Sequence, residues 1–122
     1  MPKSELHALI SKNLGVDPDH IVSEYGMCEL GSQAYDRIAG QAGAPAFVFP
    51  AWVRTRIISP ESQTEVGEGE IGILQVFDLA NIRSVLAIQT GDMAVRCGDG
   101  FELIGRATAS EPRGCSLALS EN

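Results

Sequence analysis

The sequence lacks the features that mark membrane proteins and nucleic-acid-binding proteins. Its apolar stretches are far shorter than the roughly 20 residues that cross a bilayer, and its first residues lack the basic-then-apolar order of a signal peptide. We therefore expect a cytoplasmic protein without a membrane span. Basic residues are scarce, since 9 Lys and Arg stand against 16 Asp and Glu, and the net charge of −7 disfavours a nucleic-acid partner. An anion that binds needs local help from Arg side chains, backbone amides or a divalent cation.

Cysteine and histidine are also sparse and widely spaced. Cys28, Cys97 and Cys115 form no close pair of the kind that zinc sites use, and neither His7 nor His20 has a second ligand at zinc spacing. An odd number of distant cysteines in a chain without a secretion signal is typical of reduced thiols, one of which can be reactive. The sequence therefore predicts no zinc site.

The composition is that of one globular domain. The 122 residues are 44% hydrophobic and 20% charged, and no repeat or low-complexity tract occurs. A chain of this length buries roughly two-thirds of the surface that its unfolded form exposes. We therefore expect a single domain over residues 1–122 with a hydrophobic core of its own.

The first residues predict one amphipathic helix. Leu6, Leu9, Ile10 and Leu14 recur at helical spacing, and a proline and a serine stand ahead of them, where helix starts are favoured. Gly15 follows directly and predicts the end of the helix.

The rest of the chain predicts short strands and turns. Residues 21–25 are interpreted as a strand that ends at Gly26, and residues 31–50 as an irregular connection, because they show no regular period. β-Branched residues predict further strands at 52–58, 71–77, 85–88, 93–97 and 101–104, with turns at Gly91-Asp92 and at 98–100. We therefore expect a mainly β fold of the α+β class, in which one N-terminal helix precedes a small antiparallel, distorted barrel or sandwich.

The end of the first predicted strand combines groups that suit a nucleotide. Gly26 lets the backbone approach a ligand closely, Tyr25 offers a ring to a planar base, and Glu29 can hold a Mg²⁺ ion bound to phosphate oxygens. The alternative is an ordinary strand end with an aromatic residue and an exposed acid.

A second segment, Thr90-Gly91-Asp92, follows another predicted strand. A carboxylate in this position can accept hydrogen bonds from two ribose hydroxyls at once, although a Gly-Asp pair usually shapes a turn. Further on, Arg106 either lies near the ribose or phosphate or is a solvated arginine at a strand end.

In this order, the segments Tyr25 to Glu29, Thr90-Gly91-Asp92, Gly105-Arg106 and Arg113-Gly114-Cys115 resemble the carboxyl-terminal third of acyl-adenylate-forming ligases. Within that superfamily they are most similar to the acyl-protein synthetases of luminescence-type fatty-acid reductase systems. The resemblance begins near residue 14, reaches the last residue and is densest over 52–121.

The resemblance implies a nucleotide site. Its ATP-binding residues would be Tyr25, Gly26, Cys28, Asp92 and Arg106, and Glu29 would hold Mg²⁺. Cys28 departs from the family, which usually has threonine there, and the loss of a hydroxyl contact to phosphate costs on the order of 1 kcal/mol. The Ser/Thr/Gly-rich phosphate-binding loop of the superfamily does not occur in this sequence. We therefore expect that the chain alone binds ATP and Mg²⁺ weakly or not at all and does not form acyl-adenylates.

The resemblance also implies an acyl acceptor. Cys115 matches the cysteine that, in acyl-protein synthetases, takes the activated fatty acyl group before a reductase partner receives it. A thiolate attacks an acyl-adenylate readily, and Arg113 beside it would raise the thiolate fraction. The alternative is a buried, inert thiol. We expect Cys115 to be the most reactive thiol, because Cys97 lies in an apolar strand and Cys28 inside the nucleotide motif, where both would be shielded.

Two functions stay open at this point. One is a partial acyl-adenylate-forming ligase, which activates a fatty acid with ATP and transfers it to a protein cysteine together with a missing ligase half and a reductase partner. The other is a non-catalytic protein-interaction module derived from such a ligase. Either would expose apolar surface that a ligase neighbour once covered, so we expect a homo-oligomer, most simply a homodimer.

Overall fold

The computed structural model describes residues 1–41 and 46–107. Helix α1, Lys3–Leu14, confirms the predicted helix. Gly15 ends it in the left-handed conformation, with φ 65°, and donates its N–H to the carbonyl of Ser11. Glycine suits this position because it adopts positive φ without a Cβ penalty. No helix in the described ranges is long and apolar enough to span a bilayer.

Within residues 1–41 and 46–107 the strands form two antiparallel sheets. A short ribbon pairs β1, Glu24–Tyr25, with β2, Ala34–Tyr35. The larger sheet has its four strands in chain order: β3, Val53–Ile58; β4, Ile71–Asp78; β5, Ala87–Cys97; and β6, Gly100–Arg106. The predicted mainly β fold with one helix is confirmed, and the strands of the described residues form open sheets rather than a closed barrel.

The connection before β3 joins the two sheets. Tyr35 of β2 pairs with Val48, and Phe47 pairs with Phe101 of β6, each through an isolated antiparallel bridge. The prediction of an irregular connection over 31–50 is therefore wrong at Ala34–Tyr35, which forms β2, and the residues after it form backbone hydrogen bonds with both sheets. As a result, the ribbon and the four-stranded sheet enclose one shared core.

That core lies on one face of β4. Burial alternates along this strand, so that Gly72, Leu74, Val76 and Asp78 are buried while their neighbours are more exposed. This alternation is the two-residue period of a strand with one face turned inward. Four aromatic rings complete the core at the ribbon: Tyr25, Phe47, Phe49 and Phe101.

The turn predicted at Gly91-Asp92 is wrong, because β5 runs without a break from Ala87 to Cys97. Ile73 pairs with Met93 and Gln75 with Gln89, so residues 90–92 lie together opposite Leu74. The Gly91-Asp92 pair is part of this irregularity, a bulge inside the strand. Bulges of this kind bend a strand and redirect a side chain, and here the redirected side chain is that of Asp92.

A buried aspartate ties the loops at the other end of the sheet. The Asp78 carboxylate accepts hydrogen bonds from Gly31 N at 3.0 Å, Ser32 Oγ at 3.0 Å and Ala80 N at 2.9 Å. Trp52 Nε1 donates to the same Ser32 hydroxyl at 2.9 Å, although the Trp52 side chain is about half exposed. The network satisfies the buried carboxylate and holds the loop after β1 against the end of β4.

Candidate functional site

Three strands contribute to a pocket of about 340 Å³. β1 ends at Tyr25, the bulge of β5 presents Asp92, and β6 ends at Arg106, which pairs in register with Asp92. The lining residues are Tyr25, Gly26, Met27, Asp92, Leu103, Gly105 and Arg106. The fold thus brings together four of the residues that the sequence selects for a nucleotide: Tyr25, Gly26, Asp92 and Arg106.

The Asp92 carboxylate is the centre of this pocket. Tyr25 Oη donates to its Oδ2 at 2.8 Å, and Arg106 Nε lies 3.3 Å from its Oδ1. Only 13% of the Asp92 side chain is exposed, against 45% for Arg106. A carboxylate has about four acceptor sites, so these two contacts leave Asp92 able to accept further hydrogen bonds.

Thr90 fixes the backbone at Asp92. Its hydroxyl donates to the carbonyl of Leu74 at 2.9 Å and accepts the N–H of Asp92 at 3.0 Å. The buried hydroxyl thus uses its donor and one of its two acceptor lone pairs, and these contacts hold the bulge in one conformation. The Thr-Gly-Asp sequence marks the segment, but it does not by itself show that Thr90 supports the aspartate.

The Tyr25 ring is packed into the core, and its hydroxyl reaches the pocket. The ring centroid lies 5.3 Å from that of Phe101, 6.0 Å from Phe47 and 6.2 Å from Phe49. Burial raises the pKa of Tyr25, and the hydrogen bond to Asp92 and the charge of Asp92 raise it further. The phenol therefore stays protonated and acts as a hydrogen-bond donor.

The two remaining residues of the nucleotide motif lie outside the pocket lining. Cys28 and Glu29 are both exposed, and Asn81 Nδ2 donates to the backbone carbonyl of Glu29 at 2.6 Å. The expectation that Cys28 is shielded is wrong, because the chain turns outward at 28–29, directly after Met27 has packed against the core. Cys115 and its neighbour Arg113 lie outside the described residues.

A Mg²⁺ ion would have a limited set of protein ligands here. Within the described ranges no group of three His, Cys, Asp or Glu side chains is placed to hold a metal. Mg²⁺ often binds through one or two carboxylates together with substrate phosphates. The single exposed carboxylate of Glu29 fits that donor set, which requires the phosphates of a nucleotide to complete it.

The pocket also includes residues to which the sequence motifs gave no role in nucleotide binding. Leu103 and Gly105 of β6 line it, and Met27 forms part of its wall. The alternating pattern of β6 identifies Leu103 as an inward-facing residue. Only the pairing of β6 with the bulged β5 shows that it faces a pocket.

The sequence matches no protein-family model and no curated protein. The fold matches solved structures. MatB from Rhodopseudomonas palustris matches with a TM-score of 0.63 in its apo form and 0.60 in its ATP-bound form, at 19% and 20% identity; the matches cover 86% and 84% of this chain and 24% and 23% of MatB.

Segments of two other enzymes have the same fold. The luciferase-like enzyme of the nonluminescent mealworm Zophobas morio has a TM-score of 0.57 at 21% identity, over 88% of this chain and 30% of that one. The anthranilate CoA ligase AuaEII, in complex with anthranoyl-AMP, has a TM-score of 0.53 at 19% identity, over 83% and 22%. The chain therefore has the fold of a segment of these proteins and spans less than a third of each of them.

Proposed function

We propose that this chain is the part of an acyl-adenylate-forming ligase that holds the ribose end of ATP and of the acyl-adenylate. The observation that carries the proposal is the convergence of Tyr25, Asp92 and Arg106 on one pocket. Support comes from the fold, which is shared with an ATP-bound structure and with one that holds an acyl-AMP.

Each side chain of the pocket has a role in this proposal. Asp92 accepts hydrogen bonds from the ribose hydroxyls with the acceptor sites that Tyr25 and Arg106 leave unused. Arg106 places its positive charge near the ribose or the phosphates. A Cβ at Gly26 would make only ordinary contact with Gln33 Cγ, at 3.4 Å, so the role of this glycine in the proposal is to let the ligand approach the backbone. Glu29 would hold Mg²⁺, which neutralises phosphate charge.

The chemistry that we propose for the complete ligase has two steps. In the first, a carboxylate oxygen of a fatty acid bonds to the α-phosphorus of ATP, and pyrophosphate leaves. In the second, the thiolate of Cys115 bonds to the acyl carbon, and AMP leaves with the electron pair of the broken C–O bond. A reductase partner would then take the acyl group. Because the chain spans under a third of its structural neighbours, we propose that the first step needs the rest of such a ligase.

The ribose site is tested by titrating the chain with AMP and following binding by NMR. Asp92→Asn should weaken binding about tenfold or more, because a charged acceptor of two hydrogen bonds is lost. Asp99→Asn, at the exposed hairpin after β5, is the matched control and should bind AMP as the wild type does. No binding of AMP, or equal binding by Asp92→Asn, would contradict the proposal.

Exposed apolar side chains favour the second candidate function, a protein-interaction module. Trp52 is 52% exposed, Leu79 56% and Ile82 69%, and Leu79 N donates to the carbonyl of Trp52. Exposed apolar patches often mark protein-protein interfaces. In this case the chain forms a homodimer or binds a partner protein, and Ile82→Ser weakens that association. Sedimentation that shows only monomers at high concentration, without a recovered partner, would argue against it.

A further inference from the structure

A second cleft, of about 450 Å³, opens beside β2. Its walls are largely apolar and are formed by Tyr35, Ile38, Val48, Phe49 and Pro50, with Arg37 and Asp36 at the polar end. None of these residues lines the pocket at Asp92. Its volume lies in the range of roughly 300–1,000 Å³ that small-molecule sites occupy.

The Asp36 carboxylate at this cleft already accepts hydrogen bonds from groups outside the cleft lining. The Asp36 side chain is fully buried, and it accepts Lys3 Nζ at 2.6 Å and the N–H of Ser23 at 2.8 Å. Burial alone would raise the pKa of Asp36, but the contacts with Lys3 and Ser23 and the charge of Arg37 outweigh it and lower that pKa. Asp36 is therefore an anion that accepts hydrogen bonds from Lys3 and Ser23.

Among the described residues, no anion lies close enough to Arg37 Nε to accept a hydrogen bond from it. Its Nε lies 3.6 Å from Asp36 Oδ1, which is too far for a hydrogen bond. The same nitrogen is buried and has no hydrogen-bond partner among the described residues, while 17% of the side chain is exposed. Lys3 and Arg37 together carry two positive charges against the single charge of Asp36, so one positive charge at the cleft is not balanced by this group.

We propose that the cleft binds an organic monocarboxylate, with its carboxylate on the Arg37 guanidinium and its hydrocarbon part against Tyr35, Val48 and Phe49. A monoanion balances the single excess charge of Lys3, Arg37 and Asp36. A guanidinium matches a carboxylate in shape as well as charge, because both are planar and pair through two hydrogen bonds. The hydrocarbon part would cover Tyr35 and Val48, which are 45% and 49% exposed.

Both parts of such a ligand are needed for binding at this cleft. An inorganic anion would leave the five apolar walls exposed to water, and a neutral hydrocarbon would not pair with the positive charge of Arg37, whose side chain is 17% exposed. The site is independent of the proposed ribose site. The two share no lining residue, but they are connected through the ribbon, where Tyr25 pairs with Ala34, and through the core, where the Phe49 ring packs edge-on against Tyr25.

The test is an NMR titration of the wild-type chain with three probes. Octanoate carries both parts of the ligand, acetate only the charge, and 1-octanol only the hydrocarbon. We expect octanoate to shift the signals of Tyr35, Val48 and Phe49 saturably, and to bind at least about tenfold more tightly than either other probe. Equal binding of 1-octanol and octanoate, or no saturable shift with octanoate, would overturn the proposal.

A charge-removing variant gives a second measurement. Arg37→Gln keeps a long polar side chain but loses the positive charge, and it should bind octanoate about tenfold more weakly while 1-octanol is unaffected. Arg83→Gln, at an exposed position outside the cleft, should bind octanoate as the wild type does. Undiminished octanoate binding by Arg37→Gln would overturn the assignment. The three-probe comparison needs no variant and decides the question if Arg37→Gln does not fold.

Discussion

The hydroxyl of Tyr25 donates a 2.8 Å hydrogen bond to Asp92 Oδ2, although 67 positions separate the two residues in the chain. The bond joins the end of the two-stranded ribbon to the bulge of β5. The donor ring is held by three phenylalanines and the acceptor backbone by Thr90. Because both ends are fixed, the pair positions the Asp92 carboxylate at the pocket rather than leaving it free to rotate.

Removing this hydroxyl tests whether Tyr25 acts through Asp92. Tyr25→Phe keeps the ring among its aromatic neighbours and deletes only the hydrogen bond, which costs about 0.5–1.5 kcal/mol. We expect the variant to fold and to bind AMP several-fold more weakly by NMR titration, because its Asp92 is less well oriented. If the ring itself were the contact to the nucleotide base, Tyr25→Phe would bind AMP as the wild type does. Tyr35→Phe is the matched control and should leave AMP binding unchanged.

Asp36 makes the free energy of unfolding sensitive to acid. Its pKa is lowered in the folded state, so its stabilising contribution is complete above the unfolded pKa of about 3.9 and is lost as the pH falls below that value. Urea unfolding should show Asp36→Asn to be less stable than the wild type by about 1–3 kcal/mol at pH 7. The difference should shrink between pH 4 and the acid limit of folding.

The control for this pH dependence is Asp99→Asn, because Asp99 is exposed at the hairpin between β5 and β6. Its unfolding curves should follow those of the wild type at every pH. A difference between Asp36→Asn and the wild type that stays constant down to pH 3 would show that the contacts of Asp36 act through packing rather than charge.

Gly72 is required by the close approach of β3 and β4. A Cβ at this position would lie 2.6 Å from the carbonyl oxygen of Ile58 and 2.9 Å from Ile57 Cγ2. Since a backbone oxygen in a paired strand cannot move away cheaply, Gly72→Ala should lower the free energy of unfolding by about 1–3 kcal/mol. Gly67→Ala is the control, because its Cβ would meet only the Glu70 side chain at 3.6 Å. Equal urea midpoints for the two variants would contradict this account.

Local patterns were sufficient to predict much of the fold. The apolar spacing around Leu6 and the glycine after Leu14 identify the helix, and the β-branched residues at 71–77 identify a strand, which the structure has at Ile71–Asp78. Gly91-Asp92 was misinterpreted because the same dipeptide is a common turn signal. Gly91-Asp92 stays inside a strand because the Thr90 hydroxyl donates to the carbonyl of Leu74. This contact spans 16 positions, and no local sequence pattern contains it.

Contacts between residues that are distant in the sequence also limit the prediction of the two sites. Tyr25, Asp92 and Arg106 were selected because they lie within short motifs, and the structure brings them together. Asp36 and Arg37 show no motif in the sequence, because the partners of Asp36 lie 13 and 33 positions away. The exposure of Cys28 was missed for a related reason, since an apolar neighbour such as Met27 does not show where the chain turns outward.

The exposure of Cys28 sharpens the last prediction, which concerns the acyl acceptor. Accessibility alone now favours Cys28 over the partly buried Cys97. Exposure is not sufficient for reaction, however, because a thiol attacks as the thiolate, and an adjacent cation raises the thiolate fraction. Arg113 supplies such a cation two positions before Cys115, whereas Glu29 follows Cys28 directly. We therefore still expect Cys115 to accept an activated acyl group.

The prediction is tested by offering the chain a preformed long-chain acyl-adenylate, which bypasses the activation step. Mass spectrometry of the digested chain should locate a thioester on Cys115, and Cys115→Ser should abolish it, while Cys28→Ser is labelled as the wild type is. Iodoacetamide, which reports accessibility as well as thiolate character, should in parallel modify Cys28 faster than Cys97. A thioester on Cys28, or undiminished acyl transfer to Cys115→Ser, would refute the assignment. A chain that takes no label at all would instead support the protein-interaction module.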